Sequence, residues 1–305
     1  MLRNLWKNIM ERNEFAVKVY VCSTWENVKI LSQDRSIHIL VVDETYAKRD
    51  CSEVDAEQIF VLTTGNCKNV YREEKCVYKY QCVDQILSEI LETYFEKTKE
   101  NVMKSVKKEF VKIIAIYSPI HRVGKTSFAI AFGKELAKFK KVLYLNMEEY
   151  FGYGEMFEQI DNGNLGDALY YTKQENSNFG LRLRMLVRTI DELDYIPPMP
   201  VSLDLKEVRW EEWKVLFKQI VEDSVYEVIL LDIGESVQGL LKMLDLCDRI
   251  YMPVLEDDVS QEKLRQYEEN LQRLQLERLM EKTYMFIGLQ DIENKMRQLV
   301  KEEVL

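Results

Sequence analysis

Histidine is nearly missing from this chain: two residues in 305, His38 and His121. That scarcity argues against a metal centre built on imidazole ligands. The six cysteines, at positions 22, 51, 67, 76, 82 and 247, include no CxxC pair. Disulfide frameworks belong to small secreted domains, so reduced thiols are expected here. Cys22 and Cys82 lie in or beside expected strands and read as buried thiols. No apolar run approaches the ~20 residues of a membrane span. The opening Met1-Leu2-Arg3-Asn4-Leu5-Trp6-Lys7 has no signal-peptide core or cleavage site, which fits a cytoplasmic protein. Positive charge is in deficit, with 42 Lys and Arg against 52 Asp and Glu and a formal net charge of −10. A broad nucleic-acid surface needs the opposite balance. No internal repeat is visible.

What is present suits a packed α/β chain. Hydrophobic residues make up 47%, and the length allows two domains of ordinary size. Apolar runs alternate with helical segments, the pattern of a parallel sheet with crossover helices. Early strands fit Phe15 to Cys22, Ile37 to Asp43, Gln58 to Thr63 and Cys76 to Tyr80; helices fit Leu2 to Glu11, Trp25 to Ser32 and Val83 to Phe95. His38, inside an apolar strand, reads as a packing residue. Residues 97–109 hold Lys97, Lys99, Lys104, Lys107 and Lys108 with few apolar residues between them, a solvated connector. It separates a first domain, 1–96, from a second, 110–305.

In the second domain, strands fit Val111 to Tyr117, Lys141 to Leu145, Leu193 to Ile196, Glu227 to Asp232, Asp248 to Pro253 and Tyr284 to Gly288. Helices fit Lys125 to Phe139, Trp210 to Asp223, Val237 to Asp245 and Gln261 to Arg278. Asn146 to Asn178 reads as a surface segment, partly helical. Pro197 and Pro198 open an exposed loop through Pro200.

One stretch carries most of the chemistry. Val111 to Tyr117 is an apolar strand, Ser118 to Gly124 a loop, and Lys125-Thr126-Ser127 opens a helix. Strand, loop and helix in that order form a phosphate cradle, because backbone N–H groups and the helix N-terminus converge on an anion. In that role Lys125 reaches the β- and γ-phosphates, Thr126 ligates Mg²⁺, and Ser127 lies near the α-phosphate. Val228-Ile229-Leu230-Leu231-Asp232 supplies the apolar strand closed by an aspartate that orients Mg²⁺. The full loop pattern has glycine where Pro119 stands.

The first domain resembles a response-regulator receiver, a flavodoxin-like fold, lacking its first strand. The resemblance rests on strand order, on Asp43 at the phosphoaccepting position, on Thr63, and on Lys79. The acidic pair that holds Mg²⁺ in receivers has no counterpart, so the resemblance implies a pseudo-receiver used for docking. The second domain resembles the MinD/ParA group of P-loop ATPases over Val111 to Leu289. Where members read Lys-Gly-Gly-Val-Gly-Lys-Thr, this chain reads Ile120-His121-Arg122-Val123-Gly124-Lys125-Thr126. Val123, Gly124, Lys125, Thr126 and Ser127 are then the cofactor-binding residues for ATP, with Pro253 at the adenine. Thr126 and Asp232 are the Mg²⁺ residues, and Gly234 fits the switch that follows. Lys125 and Glu148 are the candidate catalytic pair, because Asn146-Met147-Glu148-Glu149 stands where members carry water-positioning aspartates.

An amide at Asn146 and the longer Glu148 stand in for those aspartates, and Ile120 replaces the lysine that crosses a dimer, so hydrolysis is expected to be slow or absent. A pseudo-receiver fused to such a domain resembles the TadZ family of positioning proteins in Tad-type pilus systems. That implies a homodimer, pilus or other polar assembly proteins as partners, a focal or polar location, and no nucleic-acid ligand. Asp291 to Leu305 places Ile292, Met296, Leu299 and Val300 on one helical face, with three basic and four acidic residues. That balance is too acidic for a membrane-surface helix, so membrane contact is expected to be indirect and the helix to fold back or meet a partner. A nucleotide-independent scaffold of the same fold, a phosphorylation-controlled regulator and a P-loop kinase are the competing readings.

Overall fold

A computed structural model describes residues 19–47, 53–65, 75–81, 86–87, 89–91, 93–94, 110–152, 163–174, 179–287 and 292–304. The chain divides into two units, Met1–Lys104 and Ser105–Leu305. The division falls within the lysine-rich segment 97–109, which lies outside the described residues, as does the helix expected over Leu2 to Glu11.

In the first unit, helix α1 (Trp25–Asp34) begins at Thr24, whose side chain accepts the Asn27 N–H. Strand β1 (Ile37–Asp43) is followed by the short helix α2 (Glu44–Ala47), β2 (Ala56–Thr63) and β3 (Lys75–Tyr78). The three strands form a parallel sheet in that order. Trp25, Leu40, Val42, Val54 and Val61 make one buried cluster. The described residues between 86 and 94 are helical.

Three expectations fail here. Residues 19–22 form no strand, and residues 15–18 lie outside the described ones. His38 is not a packing residue: its side chain is 61% exposed and lies 3.7 Å from Glu57, because alternation along β1 turns it outward. Reduced thiols are found at Cys22, which is only partly buried, and at buried Cys247, whereas Cys76 is disulfide-bonded.

The second unit runs β4 (Lys112–Ile116), α3 (Lys125–Ala137), β5 (Val142–Met147), α4 (Leu165–Thr172) and α5 (Phe179–Leu186). A hairpin of β6 (Arg188–Ile190) and β7 (Leu193–Ile196) leads to α6 (Ser202–Glu207), α7 (Trp210–Asp223) and β8 (Val228–Ile233). Then come α8 (Leu240–Leu246), β9 (Arg249–Val254), α9 (Asp258–Arg273), α10 (Arg278–Glu281), β10 (Thr283–Ile287) and α11 (Ile292–Val304). The seven strands lie in the order β10-β9-β4-β8-β5-β7-β6, and only β6 is antiparallel to its neighbour. The inner strands are buried along their whole length, so they read as unbroken apolar runs instead of alternating ones.

Alternation still sorts the side chains. Ile113, Ala115 and Tyr117 face the layer of α4, α5, α7 and α9, while Ile114 and Ile116 face α3 and α11. Helix α7 presents Trp213, Leu216, Phe217 and Ile220 as one buried stripe, the helical spacing of an amphipathic surface helix. The helix expected over Gln261 to Arg278 starts earlier, because Asp257 caps it by accepting the Ser260 N–H at 3.0 Å. It stops at Arg273, and Gln275 then adopts φ 57. The loop after Pro197 is less exposed than expected, with Pro198 and Met199 buried. Among the described residues, no helix is long and apolar enough to cross a membrane.

Helix α11 folds back onto α3. Met296, Leu299 and Val300 are buried with Phe128 and Phe132. Its last turn carries Glu303, only 2% exposed. The Tyr251 hydroxyl donates to Glu303 Oε1 at 2.7 Å, and Lys112 Nζ donates to Oε2 at 3.0 Å. Arg249 adds a second cation at 3.7 Å. Glu303 is the buried member and its two cations are a third or more exposed, so Glu303→Ala chiefly strips the Tyr251 hydroxyl of its acceptor and should lower unfolding stability by about 1–2 kcal/mol in urea titrations.

Candidate functional site

The loop Ser118 to Gly124 leaves the carboxyl end of β4 and turns straight into α3. The Ser118 hydroxyl donates to the Pro253 carbonyl at 2.8 Å and accepts the Ile120 N–H at 3.2 Å. Ile120 and Val123 insert into the core, 5% and 4% exposed. Arg122 and Gly124 take left-handed backbone, φ 60 and 75. At Gly124 the missing Cβ makes that turn cheap immediately before the helix. The first N–H groups of α3 have no partner within the helix and stand at its positive end. Two loop positions contribute less than a full cradle would: Pro119 has no N–H, and the Ile120 N–H is already taken by Ser118.

Asp232 is the last residue but one of β8, paired with Ile116 of β4 on one side and Asn146 of β5 on the other. It is fully buried. Its Oδ2 accepts from the Tyr144 hydroxyl at 3.0 Å and, more weakly, from Asn146 Nδ2 at 3.4 Å. Oδ1 is buried without a hydrogen-bond partner among the described residues. Burial pushes the Asp232 pKa up to about 6 and outweighs the Lys125 charge and the Thr126 hydroxyl, which favour ionisation; Glu148 pushes the same way as burial. The Thr126 hydroxyl is thus electrostatically close, though no hydrogen bond of ordinary geometry reaches Oδ1.

Lys125 does not extend into the loop. Its ammonium pairs with Glu148 Oε1 at 2.5 Å, donates to the Ile233 carbonyl, and lies 5.9 Å above the Tyr117 ring. Glu148 is therefore the ion-pair partner of Lys125 in this structure. Asn146 is buried and engaged on both sides: Nδ2 donates to the Tyr144 hydroxyl at 2.9 Å, and Oδ1 accepts the Glu148 N–H at 3.0 Å. Gly234 follows β8 so closely that a Cβ would come within 2.9 Å of the Met147 carbonyl and 3.1 Å of Glu148 Oε2.

Lys125, Thr126, Glu148 and Asp232 thus come together. Val123 anchors the loop from beneath. Ser127 is exposed on the first turn of α3. Pro253 lies buried inside β9 and meets the loop through its carbonyl. Tyr144 is the participant that sequence reasoning missed. Its place two residues before Asn146 on a strand puts both on one face, a signal available in the sequence.

A second polar cluster lies in the first unit. Lys79 Nζ is 3.3 Å from Asp43 and 3.4 Å from Glu44. Burial disfavours the charged Asp43, but the Thr45 N–H and hydroxyl and the Lys79 ammonium win and hold its pKa below the usual range. The Thr63 hydroxyl donates to the Gly65 carbonyl at 2.7 Å.

No family model and no curated protein matches the chain. Solved structures do. A putative plasmid partition protein from Borrelia burgdorferi, bound to AMPPNP, is similar at 20% identity and a TM-score of 0.46, over 64% of this chain and 84% of that one. A ParA family ATPase from Chlorobium tepidum is similar at 15% identity and 0.46, over 62% and 81%. The cell-division protein MinD from Aquifex aeolicus is similar at 17% identity and 0.43, over 64% and 78%.

The residues present fit Mg²⁺. A buried carboxylate oxygen without a partner, beside a threonine hydroxyl at a helix N-terminus, is a donor set for a hard cation that keeps most of its ligands from water and phosphate. Among the described residues no group of three or more His, Cys, Asp or Glu is placed to hold a metal ion. Asp232 holds its proton more tightly folded (about 6) than the ordinary 3.8. Its contribution to stability is therefore present below about pH 4 and lost as pH rises through about 6. Asp232→Asn should gain about 2–3 kcal/mol of unfolding free energy near pH 7.5 and almost nothing near pH 4, read by urea unfolding at both.

Proposed function

We propose that this chain binds ATP with Mg²⁺ and acts as a dimerising localisation or assembly factor with little or no hydrolysis. The observation that carries the reading is the partnerless oxygen of buried Asp232 beside Thr126, at the mouth of the β4–α3 loop. Ligands of open parallel sheets bind beyond the carboxyl ends of the strands, which is where these groups gather. Thr126 and Asp232 would hold the metal, the first-turn N–H groups of α3 would hold phosphate, and Lys125 would turn from Glu148 to the β- and γ-phosphates. Mg²⁺, when bound, would neutralise charge on the phosphate oxygens.

Weak turnover is supported by two side chains. Asn146 is buried and its amide is committed to Tyr144, Asp232 and the Glu148 N–H, leaving no group to orient water. Ile120 is buried where a cross-dimer lysine would have to be exposed. The same proposal takes the first unit as a receiver-like docking domain whose Asp43 is neutralised by Lys79. It extends to a TadZ-like role in placing pilus or other polar assembly proteins, in the cytoplasm, with no nucleic acid and no direct membrane contact. A nucleotide-independent scaffold is the second reading, favoured by Pro119 and by the internal partners of Lys125.

Calorimetric titration with ATP and Mg²⁺ separates the two. Wild type is expected to bind, and Lys125→Ala to bind at least about tenfold more weakly, a loss of about 1.4 kcal/mol or more. Absence of binding by wild type would leave the scaffold reading.

A further inference from the structure

We propose that Glu148 is an internal competitor for the terminal phosphate, a side chain that keeps Lys125 out of the cradle until nucleotide displaces it. The inference rests on the ATP-binding reading above and adds what sets the affinity of that site.

The contact is built, not incidental. Lys125 is 12% exposed and Glu148 25% at their side chains, so their 2.5 Å pair sits largely out of water. The Glu148 backbone is fixed by the buried Asn146 side chain, which is tied in turn to the Tyr144 hydroxyl. Its carboxylate lies over Gly234, where any larger residue would push it away. The ammonium is further held by the Ile233 carbonyl. Charge-assisted contacts of this kind are the stronger hydrogen bonds, and a triphosphate needs the same ammonium donors. An entering phosphate would also meet two carboxylates, Glu148 and Asp232. Binding therefore becomes an exchange: Glu148 swings toward solvent through its exposed side, its backbone still held, and Lys125 turns to the phosphate. Asn146, whose Oδ1 accepts the Glu148 N–H, is then a positioning residue for this latch.

A neighbouring carboxylate offers the control. Glu149 pairs with Lys206 at 3.1 Å and does not touch Lys125. Glu149→Gln removes the same charge without freeing the ammonium. MgATP affinity of the full chain would be measured for wild type, Glu148→Gln, Glu149→Gln and Lys125→Ala. Melting temperatures without ligand would be measured for the first, second and fourth and for the Lys125→Ala/Glu148→Gln double variant. The latch predicts affinity tighter by roughly tenfold in Glu148→Gln, equal to about 1.4 kcal/mol, and unchanged in Glu149→Gln. It also predicts single-variant melting shifts that fail to add in the double variant.

Equal gains in both glutamine variants would reduce the effect to bulk charge and overturn the latch. Weaker binding by Glu148→Gln would make Glu148 a ligand contact and overturn it too. Additive melting shifts with nucleotide binding intact would remove the latch alone. Absence of binding by all four proteins would remove the nucleotide reading and the competition together.

Discussion

The burial of one carboxylate organises the second unit. Asp232 sits at the end of a central strand with no exposure, and a charge taken out of water is costly unless neighbours compensate. Each neighbour bears on that problem. Tyr144 and Asn146 donate to one oxygen from the adjacent strand, and Lys125 supplies positive charge from the start of α3. Compensation is incomplete, since the other oxygen has no hydrogen-bond partner among the described residues and the pKa stays high at about 6. A group kept half-satisfied in this way is unfavourable for the ligand-free fold and suited to a cation that arrives with its own ligands.

The same logic bears on position 146. An aspartate there would put a third carboxylate in a dry site, whereas Asn146 gives Tyr144 and the Glu148 backbone a neutral partner. The Ser118 hydroxyl occupies the Ile120 N–H and ties β4 to β9 through the Pro253 carbonyl. At the far end of the sheet, Glu303 joins α11 to the first residues of β4 and β9, so the helix that covers α3 is anchored by a second buried charge.

Ile37–Asp43, Leu193–Ile196 and Trp210–Asp223 have the expected ends, because Asp43, Pro197 and Asp223-Ser224 punctuate the pattern there. Strand β6 was invisible: it spans three residues, and its turn uses Asp191 and Glu192 at φ 47 and 69 without the glycine that would announce it. Helix α5 was hidden within a segment with weak periodicity. At the site, residue types alone pointed to Lys125, Thr126 and Asp232. The pairing of Lys125 with Glu148 was not legible, since it depends on neighbouring strand ends meeting across the sheet. His38 misled because a strand residue's face depends on which side the core occupies.

The most direct test of the central claim is proton release when Mg²⁺ and ATP bind, measured by calorimetry in buffers of different ionisation enthalpy near pH 6. Metal binding requires the ionised carboxylate, whereas the terminal phosphate itself also titrates near pH 6; wild type should therefore release roughly half a proton more than Asp232→Asn there, given a pKa of about 6 at Asp232. That excess should disappear above pH 8. Binding with no such excess at any pH would contradict the assignment of Asp232 as the group that receives the metal.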